Sequence, residues 1–396
     1  MRDAGAPVEA ADLLDGFGEL RRAAAHCSGL AASVAGAGEK RRALDDALVH
    51  ELVRSGLLRT GVSRSAGGPQ TPPSVMLDAA ETVARGDASA GWCVAIAMTS
   101  SLLSAYLSSK GADEVFGDPR STAVGVWAPT ARARAVEGGV VVSGRWTFCS
   151  GVSHADWLFA GCGVADAEAA GSAAPRPLVV AVPVAELEVL DTWHTVGMRA
   201  TGSHDCVAEE VFVPDHRVVS IVDGPSAGAG ALYRFPLLGF FAASVAAAAL
   251  GNARGAVDDL RALATVKKPL GSTRTLAERS RTQDGLARAQ ASLQAARLLF
   301  RQAVDDAWRA AQGEEPVGDE LRVRLRLAAA HAARTAADVT TAMYELGGTS
   351  AIYETSPLQR RFRDAHTMTA HVQIRQPMYE VTGRYLLGLP TETALL

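Results

Sequence analysis

The sequence has little of several features that point to particular classes of protein. Lys and Arg number 39 against 43 Asp and Glu, so the net charge is -4 and nucleic acid is not expected as a partner. The five cysteines are scattered and form no CxxC pair, so their spacing indicates neither a disulfide framework nor a metal site, and a reducing cytoplasm is expected. Residues 1–20 are acidic where a signal peptide has a basic and then an apolar region, so secretion is not expected.

Long hydrophobic runs are also scarce. The most apolar run, residues 236–251 ("PLLGFFAASVAAAALG"), is shorter than the roughly 20 residues that a membrane-spanning helix needs. It predicts a buried helix and no membrane span. A chain of 396 residues is too long for one ordinary hydrophobic core, so two or three packed units are expected.

The apolar pattern changes twice along the chain and predicts an α+β multidomain protein. Residues 1–115 have helical spacing, with Asp87 and Ser89 as a cap between two helices. Residues 116–222 are short Val-, Phe- and Trp-rich segments between turns, which predicts a central β domain; its low-complexity part, 164–177, predicts a loop. Residues 223–396 predict a C-terminal four-helix bundle. The four helical patterns cover residues 235–264, 272–312, 317–347 and 357–387.

Aromatic residues make up only 6 % of the chain, yet four of them fall in one short stretch, "GRWTFCSGVSHADWLFAG", residues 144–161. Alternation of Trp146 with Phe148, and of Trp157 with Phe159, predicts a β-hairpin with these rings on one face and Ser150 in the turn.

Three motifs in this order resemble the acyl-CoA dehydrogenase superfamily over nearly the whole chain. The first is the aromatic stretch, which is similar to a "WxFxSG" hairpin beside the flavin. The second is "DTWHTVGMRATGSHDCVAEEVFVPDHRV", and the third is "YELGGTSAIYETSPLQRRFRDAHTMTAH". The resemblance implies an N-terminal α-helical domain, a central β-barrel or sandwich and a C-terminal four-helix bundle.

The carboxylate base of a dehydrogenase is absent from both positions that the resemblance indicates. These positions hold Val372 and Phe241. His371 stands beside the first, on the same predicted helical face as Asp364 and Met368, whereas His366 points away. The segments "RDAHTMTAH" and "RGDASAGWCVA" resemble those of the two-component flavin-dependent monooxygenases of this fold, which include hydroxyphenylacetate and secosteroid hydroxylases, dibenzothiophene monooxygenase and nitrososynthases.

This second resemblance implies an enzyme that hydroxylates an aromatic or polyketide-like small molecule through a C4a-hydroperoxyflavin. It implies reduced flavin and O2 as co-substrates, with FMN favoured over FAD, a separate NAD(P)H:flavin reductase and a homotetramer. His371, with a pKa near neutrality, would serve as general base or as proton donor to the peroxide. Ser150 would hydrogen-bond flavin N5.

Further residues are candidates for holding the cofactor. Trp146, Thr147 and Phe148 would lie along the flavin ring, while Arg199 and Ser203 either contact its edge or order the β domain. Ser272 and Arg274, at a predicted helix start, either bind the flavin phosphate or form an ordinary cap.

The candidates for the substrate walls are apolar side chains that would otherwise be plain core. They are Trp92, Met98, Tyr106, Phe240 and Phe241. Three other functions stay open at this point: N-oxidation of an amine or amino sugar, an FAD-dependent acyl-CoA dehydrogenase with a relocated base, and a non-catalytic subunit of the same fold. His154 is either a second acid of the site or a residue of a surface turn.

Overall fold

The computed structural model describes residues 17–164, 177–226 and 228–393. The N-terminal stretch considered as a signal peptide lies mostly outside these residues, and so does most of the predicted low-complexity loop. Eleven α-helices and seven strands follow one another in the order helices, sheet, helices within the described chain. The division into separate units at residues 115 and 222 stays a prediction.

Five helices form the N-terminal part. They are α1 (Gly18–Arg41), α2 (Asp46–Arg54), α3 (Pro73–Gly86), α4 (Ala88–Ser101) and α5 (Ser109–Phe116). The cap between α3 and α4 is confirmed: the Asp87 carboxylate accepts a hydrogen bond from the Ala90 N–H at 2.9 Å, while Ser89 lies buried inside α4. Helix α1 ends at Arg41, because Arg42 adopts a left-handed conformation (φ 57°) that stops the helix there.

One seven-stranded sheet occupies the middle of the chain, with the spatial order β5-β6-β2-β1-β3-β4-β7. Only the β1–β3 pair is parallel among the strand pairs of the described chain. The strands are β1 (Ala123–Val136), β2 (Gly139–Trp146), β3 (Trp157–Val164), β4 (Pro177–Pro183), β5 (Glu188–Leu190), β6 (Asp205–Pro214) and β7 (Val218–Val219).

The predicted aromatic hairpin is wrong. Strands β2 and β3 do not pair with each other, because β1 lies between them. Trp146 is fully buried, and its indole N–H donates to the Gly161 carbonyl at 2.8 Å. Phe148 lies beyond the end of β2 with φ 65° and is 67 % exposed, so it does not share a sheet face with Trp146. Long-range pairing, which local alternation cannot encode, decides the neighbours of each strand.

The C-terminal part contains a short helix and five longer ones. They are α6 (Ala231–Arg234), α7 (Leu237–Val266), α8 (Ser280–Ala311), α9 (Asp319–Gly347), α10 (Pro357–Met368) and α11 (Pro377–Leu386). The fourth predicted helix is therefore broken in two, and residues 369–376 form turns. Pro377 is the first residue of α11, a position where the missing N–H of proline costs no helical hydrogen bond.

The apolar run at residues 236–251 belongs to α7, which is longer than the run itself. Two segments are long and apolar enough to cross a membrane by length and composition, Ala88–Ala105 and Leu237–Val266, but the protein buries 100 % and 78 % of their apolar windows. Alanines along α7 allow α3 and α9 to approach closely, so this helix forms the centre of the helical core.

Candidate active site

Ser150 lies in the tight turn that follows β2. Phe148 and Gly151 on either side of it have left-handed backbone conformations, which let the chain reverse within a few residues. Trp92 of α4 donates its indole Nε1–H to the Ser150 Oγ at 3.1 Å, and both side chains are 7 % exposed. A helix of the N-terminal part therefore positions a hydroxyl group of the sheet.

A line of buried hydroxyl groups continues from Ser150 into the loop between β5 and β6. The Ser150 Oγ lies 2.8 Å from the Ser203 Oγ, which lies 2.6 Å from the Thr201 Oγ1. Thr201 in turn donates to the Met198 carbonyl at 2.8 Å. Ser203 and Thr201 are each 2 % exposed, so the line is shielded from water. We call Ser150, Ser203 and Thr201 the hydroxyl chain.

His371 also contacts Trp92. Its ring meets the Trp92 ring edge-on, with centroids 5.2 Å apart, and the Phe241 ring at 5.3 Å. Trp127 of β1 extends this aromatic wall, because its ring lies 5.3 Å from Phe241. The two predicted catalytic residues, Ser150 and His371, thus contact the same tryptophan although they are far apart in the sequence.

Burial and a nearby cation determine the charge of His371. Burial, and then the positive charge of Arg326, lower the pKa of His371 to about 4, so the expected near-neutral pKa is wrong. The backbone N–H of Gln373 donates to the His371 Nδ1 at 3.3 Å. A neutral imidazole that accepts at Nδ1 carries its proton on Nε2, and we assign this tautomer from the hydrogen bond. His371 therefore offers a donor to the site. It does not lie on a helix, because α10 ends at Met368.

Arg326 of α9 fixes the turn that carries His371. It is 3 % exposed, and its guanidinium donates to neutral acceptors: the Gln373 amide oxygen, the Leu238 carbonyl at 2.9 Å and the Met378 sulfur at 2.8 Å. Gln373 lies within the break between α10 and α11, and Met378 lies at the start of α11. The guanidinium therefore bridges α9, the start of α7 and the His371 turn.

Asp364 ties α10 to the loop that holds the hydroxyl chain. Its buried carboxylate accepts the Met198 backbone N–H at 2.5 Å, and burial together with the nearby Asp87 raises the pKa of Asp364 to about 7. The same loop packs directly on α10: a Cβ at Gly197 would lie 2.4 Å from the Arg363 carbonyl oxygen. Asp364 therefore contacts the loop of Ser203 and not His371. His366 points away as predicted, toward Thr341 of α9.

The other predicted flavin contacts are dispersed. Trp146 is core, Thr147 is exposed, and Phe148 touches Trp193 at a ring distance of 6.0 Å. Arg199 donates to the carbonyl oxygens of Glu39 and Thr195, both at 3.3 Å, which supports its ordering role. These four residues stay predicted cofactor contacts.

Ser272 and Arg274 do not start a helix, contrary to expectation. Helix α8 begins at Ser280, and the preceding 3-10 turn is capped by Thr275 and Glu278. The Ser272 hydroxyl bonds the backbone of Arg274 at 3.0 and 3.1 Å, and the Arg274 side chain is exposed. Binding of the flavin phosphate by Ser272 and Arg274 stays a prediction.

Of the predicted substrate walls, Trp92 and Phe241 contact His371. Phe240 packs on Phe235 with ring centroids 6.2 Å apart, because neighbouring helix residues point in different directions. Met98 is fully buried core. Tyr106 is half-buried, and burial raises its pKa to about 12. A wall role for these three residues stays a prediction.

Sequence reasoning missed four residues of this site: Thr201, Trp127, Gln373 and Arg326. Thr201 lies two residues before Ser203 in the "MRATGSHD" motif, and this spacing was the one available signal. Trp127 and Arg326 lie on elements that only the tertiary fold brings near His371, whereas Gln373 is two residues from His371 in the sequence. His154, left open by the sequence, is buried enough that its pKa falls to about 4. Among the described residues no group of His, Cys, Asp or Glu has the arrangement of a metal site.

Comparison with known proteins identifies the family. Residues 243–376 match the acyl-CoA dehydrogenase C-terminal domain. The chain is 31 % identical to indole-3-acetate monooxygenase of Pseudomonas putida over 88 % of its own length and 89 % of the relative's. The chain belongs to the flavin-dependent monooxygenases of the acyl-CoA dehydrogenase fold.

Two further relatives agree with this assignment. The oxygenase subunit HsaA of a Mycobacterium tuberculosis flavin-dependent monooxygenase is 28 % identical, over 89 % of this chain and 91 % of that protein. The structure of XiaF from Streptomyces sp. in complex with FADH2 and glycerol superimposes with a TM-score of 0.87 at 28 % identity, over 96 % of this chain and 98 % of that one. This monooxygenase is therefore an oxidoreductase that uses flavin and O2, and the acyl-CoA dehydrogenase alternative lacks support.

The residues around Trp92 fit a flavin ring of this monooxygenase family. The walls are aromatic, the Ser150 side chain is 7 % exposed, and the indole N–H of Trp127 is buried without a hydrogen-bond partner. An orphaned buried donor is costly unless a bound group accepts from it. The site thus combines flat apolar surfaces with a few polar atoms, as a planar heteroaromatic ligand requires.

Proposed function

We propose that this monooxygenase hydroxylates a small aromatic substrate, with reduced flavin beside Ser150 and the substrate beside His371. The observation that carries the proposal is the position of Trp92, which hydrogen-bonds Ser150 and packs edge-on against His371. A flavin beside Ser150 and a substrate beside His371 would therefore lie near each other, because both residues contact this indole. Reduced flavin, when bound, supplies the electrons with which O2 is activated.

The chain's own residues would bind and orient these partners. Ser150 would hold flavin N5 by a hydrogen bond, and the rings of Trp92, Phe241 and Trp127 would exclude water and contact the substrate. His371 would donate its Nε2–H to an oxygen atom in the site. The aromatic character of these walls favours an aromatic substrate over an amino sugar.

The reduced flavin would come from a separate NAD(P)H:flavin reductase. Support comes from the relative that is named as an oxygenase subunit. FMN and FAD both remain candidates. We also propose a homotetramer, because Leu298 and Leu299 of α8 are 68 % and 49 % exposed and an oligomer interface would cover them. Light scattering combined with size-exclusion chromatography tests the oligomeric state.

Rapid mixing tests the proposed placement of the flavin. The protein is loaded anaerobically with reduced FMN or FAD and mixed with O2, and the lag before oxidised flavin appears is recorded with the yield of hydrogen peroxide. We expect a lag that Ser150→Ala shortens, with more peroxide formed. Ser153→Ala, an exposed serine in the same turn, is the matched control and keeps the lag. Equal lags in both variants would contradict the proposal.

A substrate panel then tests the proposed chemistry. Phenols and indole-3-acetate, the latter suggested by the name of the Pseudomonas relative, are compared with aliphatic amines. We expect a hydroxylated aromatic product, with peroxide formation falling as product rises. Oxidation of the amines alone would replace the aromatic proposal with N-oxidation.

A further inference from the structure

The hydroxyl chain has a single possible direction. The Met198 carbonyl can only accept, so the one hydroxyl hydrogen of Thr201 points to it. Ser203 must then donate its hydrogen to Thr201 in the hydrogen bond of 2.6 Å. Ser150 in turn donates its hydrogen to Ser203 in the hydrogen bond of 2.8 Å. Each hydroxyl hydrogen of the hydroxyl chain therefore has one fixed acceptor.

The other end of the chain gives the same direction. An indole nitrogen is a donor only, so Trp92 donates to the Ser150 Oγ at 3.1 Å. Ser150 therefore receives one hydrogen bond from Trp92 and gives its own hydrogen to Ser203. A hydroxyl oxygen has two lone pairs, so one lone pair of Ser150 remains free. Toward a ligand, Ser150 is an acceptor and not a donor.

The direction is fixed by groups that cannot reverse. The Met198 carbonyl belongs to the backbone and also accepts the Trp193 indole N–H at 2.9 Å. The N–H of the same residue is held by Asp364. Because Ser203 and Thr201 are buried, water is not available to supply an alternative partner.

We infer that Thr201 and Ser203 are positioning residues that make the site selective for reduced over oxidised flavin. The inference rests on the proposed placement of flavin N5 beside Ser150. Reduced flavin carries a hydrogen on N5 and can donate it to the free lone pair of Ser150. Oxidised flavin has a lone pair on N5, which would face the lone pair of Ser150. The hydroxyl chain thus favours binding of reduced flavin and disfavours binding of oxidised flavin.

This selectivity has a thermodynamic signature that does not depend on turnover. A protein that binds reduced flavin more tightly raises the reduction potential of the bound flavin by the same free energy. A tenfold change in the ratio of the two dissociation constants corresponds to about 30 mV for a two-electron couple. Both quantities can be measured anaerobically without substrate.

The decisive variant is Thr201→Val, which removes the hydroxyl at the far end of the chain with little change of shape. Ser203 then loses its acceptor and can turn its hydrogen toward Ser150, which frees the Ser150 hydrogen to point at the flavin. We expect the preference for reduced flavin to fall by roughly three- to tenfold. Ser203→Ala should act in the same direction, because it also frees the Ser150 hydrogen.

Two matched variants separate the inference from simple loss of a buried hydroxyl. Thr201→Ser keeps the hydroxyl and should keep the wild-type ratio of dissociation constants. Thr340→Val removes another buried hydroxyl, which donates to the Ala336 carbonyl at 2.8 Å in α9, and should leave the ratio unchanged. If Thr201→Val does not fold, Ser203→Ala carries the same test.

The outcomes test the role of Thr201 and Ser203 separately from the placement of flavin N5 beside Ser150. If Ser150→Ala alters flavin affinity while Thr201→Val and Ser203→Ala keep the wild-type ratio, the inference fails and the proposed flavin placement stands. If Ser150→Ala changes neither dissociation constant, flavin N5 does not meet Ser150, and both fail. A falling ratio in Thr201→Val and Ser203→Ala, with Thr201→Ser unchanged, supports both.

Discussion

The two sides of Trp92 are built in different ways. On the Ser150 side, each hydroxyl hydrogen has an acceptor, and the chain ends on a backbone carbonyl. On the His371 side, the imidazole has one long hydrogen bond of 3.3 Å and is otherwise held by ring contacts and by the turn that Arg326 clamps. On the Ser150 side, hydrogen bonds fix the direction of the hydroxyl groups. On the His371 side, packing and charge fix the position and the protonation of the imidazole. The two sides should therefore respond differently to substitution.

The largest expected effect concerns His371. His371→Leu removes the proton donor and should lower hydroxylated product by about 100-fold, the usual size of an acid–base contribution. His371→Gln retains an N–H group and should recover about tenfold of that loss, because the side chain acts as a donor and not as a base. Product and hydrogen peroxide are quantified in parallel.

His366→Gln is the control for this prediction, since that histidine lies on α10 but faces Thr341. It should retain wild-type product formation. Equal inactivity of the Leu and Gln variants of His371 would assign it the role of proton acceptor.

A smaller effect is expected where α10 supports the hydroxyl chain. Asp364→Ala leaves the buried Met198 N–H without its acceptor and should lower the free energy of unfolding by about 1–3 kcal/mol. Asp364→Asn keeps an oxygen acceptor and should lose less than half as much. Urea denaturation gives both values, and Asp338→Ala, an exposed acid of α9, is the control. Similar losses for Ala and Asn would show that the Met198 bond does not matter.

The smallest effect is a pH dependence of opposite sign on the two sides. The folded pKa of His371 is about 4 against 6.5 ordinarily, so the unfolded state binds more protons in that window and stability rises with pH. The folded pKa of Asp364 is about 7 against 3.8, so the folded state holds the extra proton there and stability falls as pH rises. Each contribution has a slope of at most about 1.4 kcal/mol per pH unit.

Denaturation at fixed ionic strength between about pH 4.5 and 6.5 measures these slopes. His371→Gln should make the rise of stability with pH shallower, and Asp364→Asn should make it steeper. The two variants changing the slope in the same direction would contradict the assigned protonation states.

Local patterns predicted most of the secondary structure of this monooxygenase. Helical spacing placed α3 and α4 with the Asp87 cap between them, and Val-rich alternation placed the strands of the sheet. Strand order was not accessible, because β1 separates β2 from β3 through pairing across long stretches of chain. The break after Met368 was missed, because the helical spacing continues from residue 357 to residue 387.

Part of the candidate site was also predicted from the sequence. Ser150 and His371 were named from motifs, and the structure brings both into contact with Trp92. The direction of the hydroxyl chain depends on distances among Ser150, Ser203 and Thr201 that no spacing encodes. The low pKa of His371 depends on Arg326, which comes from a different helix.

The contact between Gly197 and the carbonyl of Arg363 bears on how such enzymes can be recombined. Any larger residue at that position would push α10 away from the loop between β5 and β6. A chimaera that exchanges the sheet for that of a relative must therefore carry the matching α10 segment with it. In this enzyme a segment that is continuous in the sequence is therefore not a unit that can be exchanged alone, because its contact with α10 must be kept.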